Sequence, residues 1–279
     1  MRTSPKLWPR IEAVAAHLFL AGALLYMSIP FLWMIGASLK KQSEIFRNPP
    51  TFIPDELVFG NYVNLFVEFD FLRHFLNSTF LAVVHTLLYL FFCSLAGYAF
   101  AKYEFRLKNL LFLLLLGSMM VPGYTLFVPL FVLAIRLKLV DSYIGVLLPG
   151  IVGAFGIFFM KQNMESIPDE LLDAARIDGT TEFGAFWRVA RPLAAPAMAV
   201  LAVLAFLNSW NDFVWPLVIL RTRELQTLPV ILAGMVGTYR MEYGIVMAGS
   251  FLSALPVLIL FTSMQRNFMQ GLTVGALRG

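Results

Sequence analysis

Long apolar runs separated by short polar segments extend along almost the whole chain. Six of these runs reach about 20 residues, the length that a helix needs to cross the hydrocarbon core of a bilayer. They lie at approximately 13–37, 75–100, 110–134, 142–160, 196–220 and 243–264. Gly and Pro inside several runs are compatible with membrane helices. The pattern predicts an all-α membrane protein with six transmembrane helices in a single domain, residues 1–279.

Composition supports the membrane assignment and narrows the possible partners. Hydrophobic residues make up 59% of the chain and charged residues 14%, whereas a soluble domain carries about 25% charge. The excess apolar surface requires a lipid bilayer. The single cysteine, Cys93, cannot build a disulfide framework. The net charge of +4 is not clustered as in a nucleic-acid-binding patch, so no nucleic-acid partner is expected.

The distribution of basic residues predicts the orientation. An even number of spans places both termini on one side of the membrane. The N-terminal segment and the 101–109 loop are short and basic, and such segments lie in the cytoplasm. Residues 161–195 are then cytoplasmic as well, and residues 38–74 lie outside. Trp210 and Trp215 fall near the outer end of the fifth span, where aromatic belts form.

The 161–195 segment concentrates charge in a chain that otherwise avoids it. Local signals predict a helix over about 167–178, with Ser166 as its N-terminal cap and Gly179 as its left-handed terminator. A second helix is predicted from Thr180 or Thr181 to Pro192, with one aromatic face. The pattern by itself leaves two interpretations open: a cytoplasmic loop that packs on the helix bundle, or a docking element for a soluble partner.

Three separated motifs carry a resemblance to a known family. Asp173-Ala174-Ala175, followed by Gly179, Val189 and Pro192, resembles the loop that defines the permease subunits of ATP-binding-cassette importers. The stretches IPDELLDAARIDG, FWRVARP, SWNDFVWPL and QRNFMQGLTVGALRG are similar to the smaller permease subunit of the carbohydrate-uptake (maltose-permease-like) subfamily. The resemblance covers about residues 12 to 279. Asp173 departs from the usual Glu, and Arg191 stands where an apolar residue is usual.

The resemblance implies a sugar importer of the prokaryotic plasma membrane. This chain would form a six-helix permease with a cytoplasmic coupling loop, residues 161–195, and both termini cytoplasmic. Its partners would be a second, related permease, two ATP-binding subunits and an extracytoplasmic solute-binding protein. The residues implied in docking to an ATP-binding subunit are Asp173, Ala174, Ala175, Asp178 and Gly179. The C-terminal residues 271–279 would reach between the two ATP-binding subunits.

Motifs for enzymatic chemistry are missing from the sequence. It has no GxxxxGK[ST] loop to bind nucleotide phosphates, no HExxH motif and no nucleophile elbow. We therefore expect no catalytic residue, no metal site and no cofactor in this chain, with ATP and Mg bound by partner subunits. An ion-coupled secondary carrier is the alternative, but it would require mid-membrane ionisable residues and usually internal repeats, and the sequence has neither.

Polar residues and helix breakers inside the apolar runs are candidates for a substrate path, because polar groups within membrane helices are often functional. Asn208 and Asn211 occupy the fifth run, and Met120 and Pro122 the middle of the third. A break at Pro122 would either line the path or only kink the helix for packing. In the resembled subunits, the outer loop at about 221–242 contacts the solute-binding protein, which makes Gly234, Gly237 and Tyr239 candidate contacts.

Overall fold

A computed structural model describes residues 8–237 and 242–276 of the chain, with side chains for 12–236 and 242–264. These residues form helices and no β-strand. The helices of eight or more residues are α1 (Trp8–Ser38), α2 (Gly60–Val67), α3 (Phe71–Lys102), α4 (Lys108–Ser118), α5 (Phe127–Arg136), α6 (Ala154–Glu165), α7 (Asp169–Ile177), α8 (Ala195–Trp210), α9 (Leu228–Gly237) and α10 (Tyr243–Ala276).

Shorter helical segments connect these helices. They are Gln42–Ile45, Gly123–Leu126, Tyr143–Leu147, Leu148–Gly150, Glu182–Ala185, Phe186–Ala190, Arg191–Leu193, Val214–Ile219 and Arg223–Leu225. Phe186–Ala190 is a π-helix, whereas Gly123–Leu126, Leu148–Gly150 and Arg223–Leu225 are 3-10 helices.

Three stretches are long and apolar enough to cross a membrane as single helices: Glu12–Ser38, Phe71–Lys102 and Tyr243–Met264. Three further candidates are bent pairs of helices. Lys108–Ser118 and Gly123–Arg136 meet at 94°, Tyr143–Gly150 and Ala154–Glu165 at 48°, and Glu182–Leu193 and Ala195–Trp210 at 83°. The described residues therefore hold up to six spans, and the predicted all-helical architecture is confirmed.

The fifth apolar run, predicted as one helix over 196–220, is divided. Helix α8 ends at Trp210, and Asn211 to Phe213 separate it from Val214–Ile219. Asn and Asp favour helix ends because their side chains compete for backbone hydrogen bonds. Here the Asn211 side-chain amide donates to the Leu207 carbonyl at 2.9 Å, in the last turn of α8.

The chain divides into two compact units, residues 1–70 with 234–254 and residues 71–233 with 255–279. In the first unit, the chain after α1 folds around the buried Lys40, whose ammonium donates to the carbonyl and hydroxyl oxygens of Thr51. It also lies 3.7 Å from the Glu44 carboxylate and 5.0 Å from the centre of the Trp33 ring. These partners compensate the cost of burying a charge.

Helix α3 forms the centre of the second unit, where it packs against α6 and α8. Cys93, Tyr98, Met160 and Leu201 belong to one buried cluster at this contact. Close approach depends on glycine: a Cβ added at Gly97 would lie 2.6 Å from the Met160 Cβ and 2.9 Å from the Lys161 backbone N. Small residues permit such close helix contacts in membrane proteins.

The two tryptophans of the fifth run do not lie in an aromatic belt as predicted. Trp210 is 4% and Trp215 6% exposed, so both are buried within the second unit. The Trp210 ring stacks on Phe206 at 5.7 Å, and the Trp215 indole N–H donates to the Gly145 carbonyl at 3.1 Å. An indole buried in protein finds its hydrogen-bond partner there rather than in the lipid headgroups.

We expect Gly97→Ala to destabilise the protein, since the added methyl group overlaps α6. Overpacking of this kind costs about 1–3 kcal/mol, and it should lower the melting temperature of the detergent-purified protein. Gly117→Ala on α4 is the matched control, because its Cβ would meet nothing within 4 Å and Ala favours a helix more than Gly does. Equal melting temperatures for the two variants would contradict this view of the α3–α6 contact.

Candidate functional site

Helix α7 is the core of the coupling loop. It begins at Asp169 rather than at residue 167, and Ser166 is not its cap, because the Ser166 hydroxyl donates to the Asn163 carbonyl at 2.8 Å. Pro168 occupies the N-cap position instead. The acidic residues Asp169 and Glu170 occupy the first turn, where the helix dipole favours negative charge.

The predicted glycine terminator of α7 is confirmed. Gly179 has φ +83°, a left-handed conformation that favours glycine. The Thr180 N–H donates to the Ala175 carbonyl at 3.0 Å, and the Gly179 N–H donates to the Arg176 carbonyl at 3.0 Å. This pair of bonds is a Schellman motif, which satisfies carbonyl groups at the helix end and sets the direction in which the chain leaves α7.

One face of α7 is exposed. Glu170, Asp173, Ala174 and Ile177 follow i, i+3, i+4, i+7 spacing, so they form a single stripe. Ile177 is 87% exposed, whereas Leu172 on the opposite face is buried in the core cluster. We call Glu170, Asp173, Ala174 and Ile177 the outer stripe. Ile177 is not among the predicted docking residues, although its spacing from Asp173 and Ala174 places it on the same face.

The predicted docking residues lie close together at this face. Asp173 and Ala174 belong to the outer stripe, and Asp178 and Gly179 are exposed at the C-terminal end of α7. Ala175 is half-buried and contributes its carbonyl to the Schellman motif. The predicted residues thus form one continuous patch around the end of the helix.

Two contacts fasten the coupling loop to the end of α3. The Lys102 ammonium, with a side chain only 4% exposed, lies 2.7 Å from the Asp169 carboxylate and donates to the Ile167 carbonyl at 2.5 Å. The next residue, Tyr103, donates its hydroxyl to the Glu182 carboxylate. The hydrogen bond from Lys102 lowers the pKa of Asp169, which keeps this carboxyl ionised at neutral pH.

Arg176 joins the two helical parts of the coupling loop. Its guanidinium donates to Glu182 from Nε at 3.0 Å and from Nη2 at 3.1 Å, and to Asp173 from Nη1 at 2.7 Å. A fork-shaped pair of this kind fixes orientation as well as distance. Hydrogen bonds from Arg176 and Tyr103 lower the pKa of Glu182. We call Lys102, Tyr103, Asp169, Arg176 and Glu182 the clamp.

The predicted aromatic face in the second half of the coupling loop is only partly buried. Phe186 and Ala190 are buried, whereas Phe183 and Trp187 are exposed and stack on each other at 6.0 Å. The Arg191 guanidinium lies 4.0 Å from the centre of the Trp187 ring, so this unusual residue packs by a cation–π contact. The helix continues past the predicted end at Pro192 to Leu193.

A cavity of about 950 Å³ lies within the second unit. Its walls come from α3, α8 and the breaks in the third, fourth and fifth apolar runs, and it contains both polar and aromatic side chains. The polar and aromatic lining residues are Ser78, His85, Tyr124, Phe127, Asn208, Ser209, Asn211, Asp212, Phe213, Trp215 and Thr227.

The candidate path residues divide into two groups. Asn208 and Asn211 line the cavity, and the Asn211 amide also donates to the Leu207 carbonyl at 2.9 Å. Met120 and Pro122 are exposed and are not among the lining residues. The break at Pro122 instead places Gly123 and Tyr124 in the cavity wall, because a proline disfavours helical conformation in the residue before it.

The outer segment contains a helix, α9, within the predicted loop at 221–242. Gly234 is exposed on this helix, and Gly237 is its last residue. Tyr239 lies outside the described residues.

Comparison with known proteins identifies the family. The family model described as "binding-protein-dependent transport system inner membrane component" matches residues 93–274, which include the coupling loop and much of the cavity wall. The arabinooligosaccharides transport system permease protein AraQ of Halalkalibacterium halodurans is 44% identical, over 90% of this chain and 91% of its own. The lactose transport system permease protein LacG of Rhizobium radiobacter is 34% identical, over 94% of this chain and 96% of its own.

The fold agrees with a solved structure. One chain of a bacterial ABC transporter involved in the import of the acidic polysaccharide alginate superposes with a TM-score of 0.81 at 23% identity, covering 95% of this chain and 99% of that chain. This likeness confirms the predicted fold of an ABC-importer permease. The chain belongs to the family of inner-membrane components of binding-protein-dependent transport systems, and it is a multi-pass permease subunit rather than an enzyme.

Proposed function

We propose that this permease carries a sugar or sugar-like solute, and that its coupling loop receives an ATP-binding subunit. The clamp is the observation that carries the proposal: a helix with an exposed outer stripe is fixed to the end of a long membrane helix by buried and charge-assisted bonds. A loop that only connected two spans would need neither feature. The substrate class is supported by relatives that match at least 90% of the chain and are named as arabinooligosaccharide and lactose permeases.

The proposed orientation places the coupling loop, the 101–109 loop and both termini in the cytoplasm. Basic residues in the short loops support it. The contact between Lys102 and Asp169 supports it as well, since it brings the 101–109 loop and the coupling loop together. ATP and Mg bind to two partner subunits, each of which contacts one coupling loop.

The mechanism is a rigid-body switch. Closure of the ATP-binding subunits moves α7, and the clamp transmits this movement to α3. A second connection runs through Arg191–Leu193 into α8, where the chain turns by 83°. Because α3 and α8 both line the cavity, moving their cytoplasmic ends changes which side of the membrane the cavity faces.

The cavity is the proposed substrate path. Asn208 and Asn211 offer amide groups to hydroxyls, and aromatic side chains such as Tyr124 and Phe127 offer flat apolar surfaces to sugar rings. Met120 and Pro122 act at the mouth of this path, next to the break that exposes Gly123. The other half of the path comes from a second, different permease, which completes a heterodimer.

An external solute-binding protein delivers the substrate. The segment around Gly234, Gly237 and Tyr239 is its proposed contact. Gly234 supports this assignment because a Cβ added there would meet nothing within 4 Å, so a partner has room to approach the backbone.

We expect Ile177→Asp to prevent docking of the ATP-binding subunit. Ile177 is 87% exposed, so the change should leave the permease folded, but a carboxylate at the C-terminal end of the outer stripe would lose its hydration in the interface. Co-purification of the ATP-binding subunit should fall at least about tenfold, the effect of roughly 1.4 kcal/mol.

Leu107→Asp is the matched control, since Leu107 is 59% exposed in the 101–109 loop and lies outside α7 and the predicted docking residues. It should retain the ATP-binding subunit. Equal retention of that subunit by both variants would show that α7 is not the docking surface.

We expect Tyr103→Phe to uncouple ATP hydrolysis from transport while docking is retained. The variant removes one hydroxyl from the clamp and leaves the outer stripe unchanged, so the ATP-binding subunits should co-purify normally. Substrate uptake per ATP hydrolysed in proteoliposomes should fall by about three- to tenfold, in line with the loss of one solvent-exposed hydrogen bond, about 0.5–1.5 kcal/mol. Glu104→Gln, which removes an exposed pair with Lys108, should leave this ratio unchanged. A normal ratio in Tyr103→Phe would exclude transmission through the clamp.

A further inference from the structure

The end of α3 opposite the coupling loop is bonded to a segment that is distant in sequence. The buried His74 donates from Nδ1 to the Gln226 carbonyl at 2.9 Å. One turn further along α3, the Asn77 amide donates to the Glu224 carbonyl at 2.8 Å and to the Gln226 carbonyl at 3.0 Å. These bonds come from side chains of α3 and end on backbone groups, so they fix the path of the chain at this segment.

The start of α9 is fixed to α3 in the same way. The first N–H groups of a helix have no partner within the helix. The Leu228 N–H, the first in α9, donates to the Ser78 hydroxyl at 2.8 Å, and Ser78 is 3% exposed. Helix α3 therefore supplies the cap of α9. We call His74, Asn77 and Ser78 the latch.

Asp141 fixes the chain just before the latched residues. Its Oδ1 accepts from the Arg221 and Thr222 backbone N–H groups, both at 2.9 Å, and its Oδ2 accepts from the Thr222 hydroxyl. Hydrogen bonds from the Thr222 hydroxyl and backbone N–H lower the pKa of Asp141, which keeps the carboxyl ionised at neutral pH. Residues 221–228 are thus held at one end by Asp141 and at the other by α3.

Helix α3 is suited to act as a rigid rod. Among the candidate spans in the described part of the chain, it is the one that has neither a proline nor a break. Helices α1 and α10 contain Pro30 and Pro256, and the other candidates are bent pairs. Proline removes a backbone hydrogen bond and kinks a helix. From His74 to Lys102, α3 extends over roughly 42 Å.

The two ends of this rod hold different parts of the molecule. The clamp joins one end to the coupling loop, and the latch joins the other end to residues 224–228. Because the helix between them is continuous, a displacement of the coupling loop that carries α3 with it also displaces the start of α9.

We propose that α3 is a strut through which the external solute-binding protein and the ATP-binding subunits affect one another, with the latch and Asp141 as positioning residues. When α3 moves, the latch moves residues 224–228 while Asp141 holds residues 221–222, so α9 changes its orientation. The solute-binding protein then binds one state of α3 more tightly. The proposal rests on the proposed function, in which α7 receives an ATP-binding subunit and the segment that contains α9 contacts the solute-binding protein.

The affinity of the solute-binding protein for the complete transporter in lipid nanodiscs tests the strut. It is measured in two states, nucleotide-free and with the ATP-binding subunits closed by ADP, Mg and orthovanadate. The purified solute-binding protein is used without added sugar, so the result does not depend on which sugar is transported. The ratio of the two dissociation constants measures the coupling between the sites, and in wild type it should be at least about tenfold.

Asn77→Leu and Asp141→Gly are the informative variants. Leucine has nearly the volume of asparagine without its donors, and glycine retains the left-handed backbone at this position, φ +60°, without the carboxylate. Each variant should lower the ratio by about three- to tenfold, the effect of losing roughly one hydrogen bond. Thr79→Val is the matched control, because the Thr79 hydroxyl donates to the Phe75 carbonyl within α3 at 2.8 Å. All three variants should retain basal ATPase activity.

The outcomes separate the strut from the proposed function. An unchanged ratio in both variants would overturn the strut, as would a wild-type ratio near one. Equal weakening of binding in both states would overturn it as well, because the latch would then only shape the docking surface. These results would leave the permease and its partners standing. A wild-type transporter that binds the solute-binding protein in neither state would count against the proposed external partner itself, and against the strut that depends on it.

Discussion

The buried ammonium of Lys102 is the constraint on which the coupling-loop end of this permease depends. A charge removed from water must be compensated by close partners. Both partners of Lys102, the Ile167 carbonyl and the Asp169 carboxylate, belong to the coupling loop. The end of α3 is therefore satisfied only when α7 lies directly against it. A contact that is costly to break makes α7 and α3 move together, which a mechanical coupling requires.

The cavity depends on a different physical feature, the interruption of helices. In a continuous helix the backbone N–H and C=O groups hydrogen-bond to one another, so mainly side chains remain to bind a ligand. The breaks at Pro122 and at Asn211 to Phe213 bring Gly123, Tyr124 and Asp212 into the cavity wall. Irregular backbone within a membrane is tolerated where it is buried in protein or faces water. The same breaks allow parts of one span to move separately, which alternating access requires.

Periodicity and turn chemistry predicted the features that depend on local sequence. The all-helical fold follows from the apolar runs, and the end of α7 at Gly179 follows from the left-handed conformation that glycine adopts. Contacts distant in sequence could not be predicted in this way. Ser166 matched a capping pattern, but its hydroxyl bonds to Asn163. Trp210 and Trp215 matched an aromatic belt, but they are buried by partners such as Phe75 and Gly145.

The candidate site shows the same division between local and distant information. The outer stripe was predictable from helical spacing, which places Ile177 on the same face as Asp173 and Ala174. The clamp was not, because nothing in the sequence links Tyr103 to Glu182, 79 positions away. The hydrophobic pattern thus predicts the membrane helices, whereas the partners of their polar groups are determined by how the helices pack.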